Sequence, residues 1–413
     1  MRTKYLTLPV YVIISLLFII SCKKSVDNSP AITKDVILPQ NGAAVINAHN
    51  QFAFDFLRTT LERDQTGSNK LISPLSIYMA LSMVYNGADH ITRDKIQLAL
   101  RLNNLSIDDL NKTCQALIEQ MPGADSKVDL NIANSIWYRQ NISPVPGFLT
   151  LTDTYYHASI KPLDFGSPDA VATINKWASD NTHKKIEKIL QSISQDDLMF
   201  LINAIYFKGA WKYPFDKHEN AVSPFNLGNG NTVSTTFMYQ HNVSVNYFKN
   251  DVMEMVQLPY GGGNFNMYVL LPVVNVSASD VMAALDASYF QDWQSQMHKF
   301  SIDLYFPKFK FSYAIDDMKP HLSSMGMGVA FSGAADFSKM YNLQVNISKA
   351  IHKTFIEVNE EGTEAAAVTS ISIGLTSAAP PSVFRADHPF LFVIAEKSSG
   401  AILFTGLMNN PTL

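Results

Sequence analysis

Few residues of this chain stand in patterns that could do covalent chemistry. Ser73 and Ser76 could serve as nucleophiles, and Asp387 next to His388 could form an acid–base pair. A nucleophile needs a base within hydrogen-bond reach. Ser73, however, precedes Pro74 at the start of an apolar run, where a serine caps a helix. Adjacent residues on a strand point to opposite faces, which makes Asp387 and His388 a poor catalytic couple. No H-E-x-x-H, C-x-x-C, G-x-S-x-G or P-loop pattern occurs, and the ten histidines are scattered. Gly261, Gly262 and Gly263 follow Tyr260 as a turn, with no helix N-terminus behind them to hold a phosphate. No enzyme activity, cofactor or metal site is expected.

Two features carry chemistry of another kind. The first is Cys22. Arg2 and Lys4 precede an apolar run from Tyr5 to Ile20 that is short for a membrane span and interrupted by Pro9. That is the shape of a secretory signal. Ile19, Ile20 and Ser21 before Cys22 resemble a bacterial lipoprotein box, which implies cleavage at Cys22 and lipid attachment there; an ordinary signal with an incidental cysteine is the alternative. Residues 1–22 are then signal, and residues 23–45 read as a polar, flexible tether. Localisation follows: export across the inner membrane and anchoring to the envelope through Cys22 alone. Cys114 would be the single remaining thiol, so no intrachain disulfide is available, and in an amphipathic helix over 107–121 it reads as buried and inert.

The second feature is the stretch from Glu357 to Pro381. Read as a strand, it places Thr363, Ala365, Ala367, Thr369, Ile371, Ile373 and Leu375 on one face, all small or apolar. Glu364, Ala366, Val368, Ser370, Ser372 and Gly374 fall on the other, giving the pattern of a half-buried strand. Its flanks are those of a loop, Gly362 before and Pro380-Pro381 after. An edge strand has the same pattern, so the segment is suited to either state.

The elements that must hold these features read as α+β. Helical periodicity dominates early, over 48–63, 76–85 and 170–182, with another helix starting over 184–189. Strands read at 130–138, 198–207, 252–258, 266–271, 301–306, 350–358, 389–396 and 401–408, and several of these are near-continuous apolar runs with the signature of strands covered on both faces. Lys397 to Gly400 turns a hairpin between the last two. Nothing resembling a linker follows residue 45, so residues 46–413 form one domain. Apolar residues make up 47% and charged ones 16%, and the net charge of −4 without a basic cluster argues against a nucleic-acid surface.

Taken in order, the motifs resemble those of the serpin family. Leu71 to Ile77 with Asn86, Gly87 and Ala88 are similar to its helix B region. Asn203 to Trp211 with Pro214-Phe215 resemble the central strand of its large sheet. Phe237-Met238, Leu258-Pro259-Tyr260, Leu304 to Phe309, Ala335 to Ser338, His352-Lys353, Glu357 to Ala367 and Ala386 to Phe390 follow at family spacing. The resemblance implies about nine helices, three sheets and an exposed reactive-centre loop over 362–381. It implies a target protease as partner, of the serine class with the cysteine class as the alternative, which cuts the loop and is trapped when the cut loop enters the large sheet; the protein itself is expected to be a monomer. By the family's counting from Gly362, the reactive bond is Thr376–Ser377, with Leu375–Thr376 and Ser377–Ala378 as alternatives. Small or aliphatic residues there point to elastase-like or subtilisin-like targets.

The hinge would be Gly362, Thr363, Glu364, Ala365, Ala366 and Ala367. From Ala365 to Leu375 there is neither a charge nor a proline, either of which would stall insertion by burying an unpaired ion or removing a ladder donor. Ser73, Ser76, Asn203 and His352 match the family's shutter, a polar cluster under the sheet. Trp211, Lys308 and Glu360 match its breach, at the top of the sheet. A non-inhibitory binding or carrier protein is the alternative function.

Overall fold

The computed structural model describes residues 30–363 and 382–413. Cys22, Glu364, Ala365, Ala366, Ala367, Leu375, Thr376, Ser377 and Ala378 therefore lie outside the described residues. Within them are nine α-helices: α1 Gly42–Arg63, α2 Pro74–Gly87, α3 His90–Ala99, α4 Ile107–Gln120, α5 Pro146–Tyr156, α6 Ala170–Asn181, α7 Ala278–Ala284, α8 Ala287–Gln296 and α9 Lys319–Leu322. The strands are β1 Lys70–Ile72, β2 Val128–Arg139, β3 Ser159–Leu163, β4 Met199–Ala210, β5 Ala221–Asn226, β6 Thr232–Lys249, β7 Met253–Tyr260 and β8 Phe265–Pro272. They continue with β9 His298–Pro307, β10 Phe309–Ile315, β11 His352–Asn359, β12 Gly362–Thr363, β13 Ser382–Arg385, β14 Phe390–Glu396 and β15 Ile402–Met408.

Hydrogen bonding sorts these strands into a sheet of six, in the order β10-β11-β12-β4-β2-β3, and a sheet of nine. In the larger one β6 is long enough to take part twice. Its first half pairs with β5, its last residues pair with β7, and a register shift between Gln240 and Val243 separates the two pairings along β9. That continuous ladder joins two of the three expected sheets.

Local chemistry explains several boundaries. Ser73 has extended dihedrals, its side chain accepts from the Ser76 amide, and Pro74 fills the first helical turn, so α2 starts where the Ser-Pro signal places it. Every residue of α2 except Ala80 is buried, and the helix runs behind β4 and β15. Helix α4 opens on a reciprocal Ser106–Asp109 capping box. Cys114 on it is buried, and burial pushes its thiol up to about 12.

Two expectations need correction. No helix forms over 184–189. The Asn175 side chain of α6 accepts from the Ile189 and Leu190 amides and donates to the Leu190 carbonyl, satisfying this backbone without a helical turn. The tether of 23–45 is also shorter than expected, because α1 begins at Gly42 and Val36 is buried. Residues 32–37 are fastened by bonds from the Lys34 amide to the Ala124 carbonyl, the Val36 amide to Ser398 and the Ile37 amide to Gln120.

Candidate functional site, a parted sheet and its entrance

The six-stranded sheet is parted between β4 and β11. On its far side β4 is zipped to β2 from Val128↔Gly209 to Tyr138↔Met199, and β11 to β10 from Phe309↔Val358 to Ile315↔His352. Between them only the two residues of β12 are in place. Gly362 pairs with Ala210 and Asn359, and Thr363 with Gly209 and Val358, antiparallel to both neighbours. Past Thr363, among the described residues, the facing edges of β4 and β11 have no strand partner. Unpaired strand edges are ready-made templates for another strand.

The entrance is held open in a defined shape. The Asn359 side chain accepts from the Glu361 and Gly362 amides, turning the chain back on itself. The turn's carbonyls are then taken up from the β4 side: the Trp211 amide donates to Glu361 at 2.7 Å, the Phe215 amide to Glu360 at 2.8 Å, and the Trp211 indole to Asn359 at 2.9 Å. Trp211 stacks on Tyr260 with centroids 4.4 Å apart, and the Tyr260 hydroxyl shares a 2.8 Å bond with the Thr363 hydroxyl. Gly362 has φ +143°, and a Cβ there would lie 2.1 Å from the Gly209 carbonyl oxygen. Only glycine fits this approach.

Glu360 is buried yet charged. Burial would raise its carboxyl, but bonds from Lys308 at 2.8 Å and from Asn220 hold it below its ordinary value. The structure thus brings Trp211, Lys308 and Glu360 to one place, with Trp211 reaching the other two through the backbone of 359–361. The sequence reading missed Asn220, Asn359 and the partnership of Tyr260 with Thr363. Asn359, three residues before Gly362, is the one local signal for this turn.

Below the parted sheet lies a buried polar cluster. The Ser73 amide donates to His352 Nε2 at 3.0 Å, and the Ser73 hydroxyl donates to the Leu403 carbonyl at 2.8 Å. Ser76 donates to the backbone carbonyl of Asn203 at 3.4 Å. The Asn203 side chain makes no hydrogen bond to Ser73, Ser76 or His352. Its amide group donates to Asn134 on β2 at 2.8 Å, and its buried Oδ1 has no partner. Asn134, paired with Asn203 across the ladder, could not be found from sequence, because the contact depends on strand register.

His352 is fully buried, and burial drops its pKa to about 3; His49, also buried, falls to about 4. A folded-state pKa below the free value means that the unfolded chain takes up the proton first. This stability is intact above about pH 6.5 and is lost as pH falls towards the folded value. At pH 5 each site costs about 2 kcal/mol relative to pH 7. His388, whose pKa is raised despite burial by Asp387 and the Pro272 carbonyl, offsets a part. The melting temperature is expected to fall by about 5 °C between pH 7 and pH 5. His352→Gln should remove about half of that fall, and a melting temperature that does not change with pH would contradict the assignment.

Asp387 and His388 do touch, contrary to the strand-based expectation, because they lie in a bend before β14. His388 Nδ1 is 3.0 Å from Asp387, but Nε2 is bound to the Pro272 carbonyl at 2.9 Å. With both nitrogens engaged, neither faces a substrate as a base.

The described residues thus form an α+β body whose six-stranded sheet is parted between β4 and β11, with Gly362 and Thr363 paired at the top of the gap. The sequence model described as Serpin (serine protease inhibitor) matches residues 47–411. The leukocyte elastase inhibitor of Equus caballus is 32% identical over 88% of this chain and 98% of its own length. Among solved structures, the thermophilic serpin tengpin in its native state superposes with a TM-score of 0.81 at 32% identity, covering 92% of this chain and 97% of tengpin. Human thyroxine-binding globulin gives 0.82 at 27% identity, covering 90% and 99%. The chain belongs to the serpin family, and that membership supports protease inhibition as its general activity.

Proposed function

We propose that this protein is a suicide inhibitor that traps proteases by taking its own cleaved loop into the gap between β4 and β11. The observation that carries the reading is β12: Gly362 and Thr363 already occupy the top of the gap in ladder register. Carrying that register forward sets residue 365 between Phe207 and Ile356, 367 between Ile205 and Thr354, and 369 between Asn203 and His352. The core-facing set would be Thr363, Ala365, Ala367, Thr369, Ile371, Ile373 and Leu375. Thr369 would bring a hydroxyl to the Asn203 Oδ1 that lacks a partner.

In this reading a protease nucleophile attacks the carbonyl of Thr376, the Thr376–Ser377 bond breaks, and Ser377 leaves with the new amine. The loop, still acylated to the enzyme, adds as an antiparallel strand, gaining ladder bonds and carrying the protease with it. Ser73, Ser76, Asn203 and His352 set how readily the sheet parts, and Trp211, Lys308 and Glu360 hold the entrance. Elastase-like or subtilisin-like serine proteases are the preferred targets, with papain-like cysteine proteases next. The inhibitor acts as a monomer tethered to the envelope through lipid on Cys22.

Incubation with elastase should give an SDS-resistant complex and release a C-terminal fragment that begins at Ser377. A fragment starting outside 375–380 would contradict the assigned bond. A second reading, a binding or carrier protein with a substrate loop, is favoured by the likeness to thyroxine-binding globulin. Cleavage without any covalent complex across several protease classes would support it.

A further inference from the structure

At the shutter end the gap widens into a cavity of about 360 Å³ between α2, β4, β11 and residues 340–351. A void of about 150 Å³ holds benzene, so this one has room for a chain on the order of a dozen carbons. Its interior is lined by Ile77, Leu81 and Val84 of α2 together with Leu190, Met340 and Tyr341. The charged residues on it are Lys349, Lys353 and Asp196; Lys349 and Asp196 are exposed, and Lys353 is half-buried. Cations thus outnumber the anion two to one at the rim, and neither lysine is in an ion pair among the described residues. Asn203 lines the same space, is 8% exposed, and offers its unpartnered Oδ1.

We infer that this cavity binds a long-chain carboxylate, with the tail against α2 and the head group at Lys349 and Lys353. The apolar lining and the lysine rim match the two halves of such a molecule. An amphiphile with a mid-chain hydroxyl would also satisfy Asn203 Oδ1. The walls that would hold it, Met199–Asn203 and Ala350–His352, are the ones along which residues 369–373 run in the proposed inserted state. Occupation would therefore stop insertion halfway and turn the inhibitor into a substrate. This consequence, though not the binding itself, rests on the inhibitory reading.

Calorimetric titration of the full chain with myristate, and with tetradecyltrimethylammonium as the same tail with a cationic head, tests the site. Myristate should bind one to one and at least tenfold more tightly than the cation. Ala80→Phe, which projects a ring into the cavity from the one unburied position of α2, should weaken myristate at least tenfold. So should the double variant Lys349→Glu with Lys353→Glu, which leaves the packing of α2 untouched. Absence of saturable binding, equal affinity for both head groups, or affinity unchanged in both variants would overturn the inference. With an elastase that the lipid-free protein traps, one equivalent of myristate should raise the stoichiometry of inhibition at least threefold, and no change would refute the block. If the lipid-free protein traps nothing, the inhibitory reading fails while the titration still decides the site.

Discussion

Gly362→Val should abolish protease trapping while leaving the loop cleavable. At φ +143° a branched side chain is strained whatever the space around it, and here there is none: a Cβ would lie 2.1 Å from the Gly209 carbonyl oxygen and 2.6 Å from the Ala210 Cα. These atoms belong to β4, so the obstacle cannot turn aside as a side chain would. The two-residue ladder of β12 would be lost, and with it the bond between Thr363 and Tyr260 and the starting register for everything behind it. A loop that cannot start its strand leaves time for deacylation. The stoichiometry of inhibition is expected to rise at least tenfold, with the cleavage rate changed less than threefold. Gly362→Ala meets the same backbone atoms and should go the same way. A valine variant that traps protease like the parent would refute the role given to β12.

Ala367→Arg should be nearly as damaging, and Ala366→Arg much less so. In the register fixed at Gly362 and Thr363, residue 367 arrives beside Ile205 and Thr354 on the core side, where a guanidinium would have no carboxylate partner. Burying an unpaired charge costs several kcal/mol, and each 1.4 kcal/mol is a factor of ten. Residue 366 arrives on the opposite face, where Lys185 already lies over the Phe355 ring at 4.9 Å. At least a tenfold rise in stoichiometry is expected for Ala367→Arg, against threefold or less for Ala366→Arg, as read by gel densitometry of covalent complex against cleaved product. Equal effects at the two positions would refute the alternation.

Much of this was legible in the sequence where the cause is local. The Ser73-Pro74 start of α2 depends on a side chain and a ring within three residues of each other, and the apolar runs of β8, β14 and β15 are buried throughout for the reason their composition gives. Ser73 and His352 are 279 positions apart, and in the sequence only the family resemblance groups them; their contact is 3.0 Å. What stayed hidden depends on register or on distant partners. Asn134 meets Asn203 only because β2 and β4 align at that rung. The residues after α6 look helical until Asn175 is seen to cap them from the side, and residues 32–37 look like tether until Ala124, Gln120 and Ser398 are seen to hold them. The cavity near Asn203 has no sequence signature, since its walls come from five separate stretches of chain.

Thermal unfolding before and after a single nick at Thr376–Ser377 tests the central claim most directly. If the parted sheet is waiting for its own loop, the nicked protein should fill the gap from residue 364 onward and melt at least 20 °C above the intact one. A nicked protein that melts at or below the temperature of the intact chain would contradict strand acceptance as the basis of its activity.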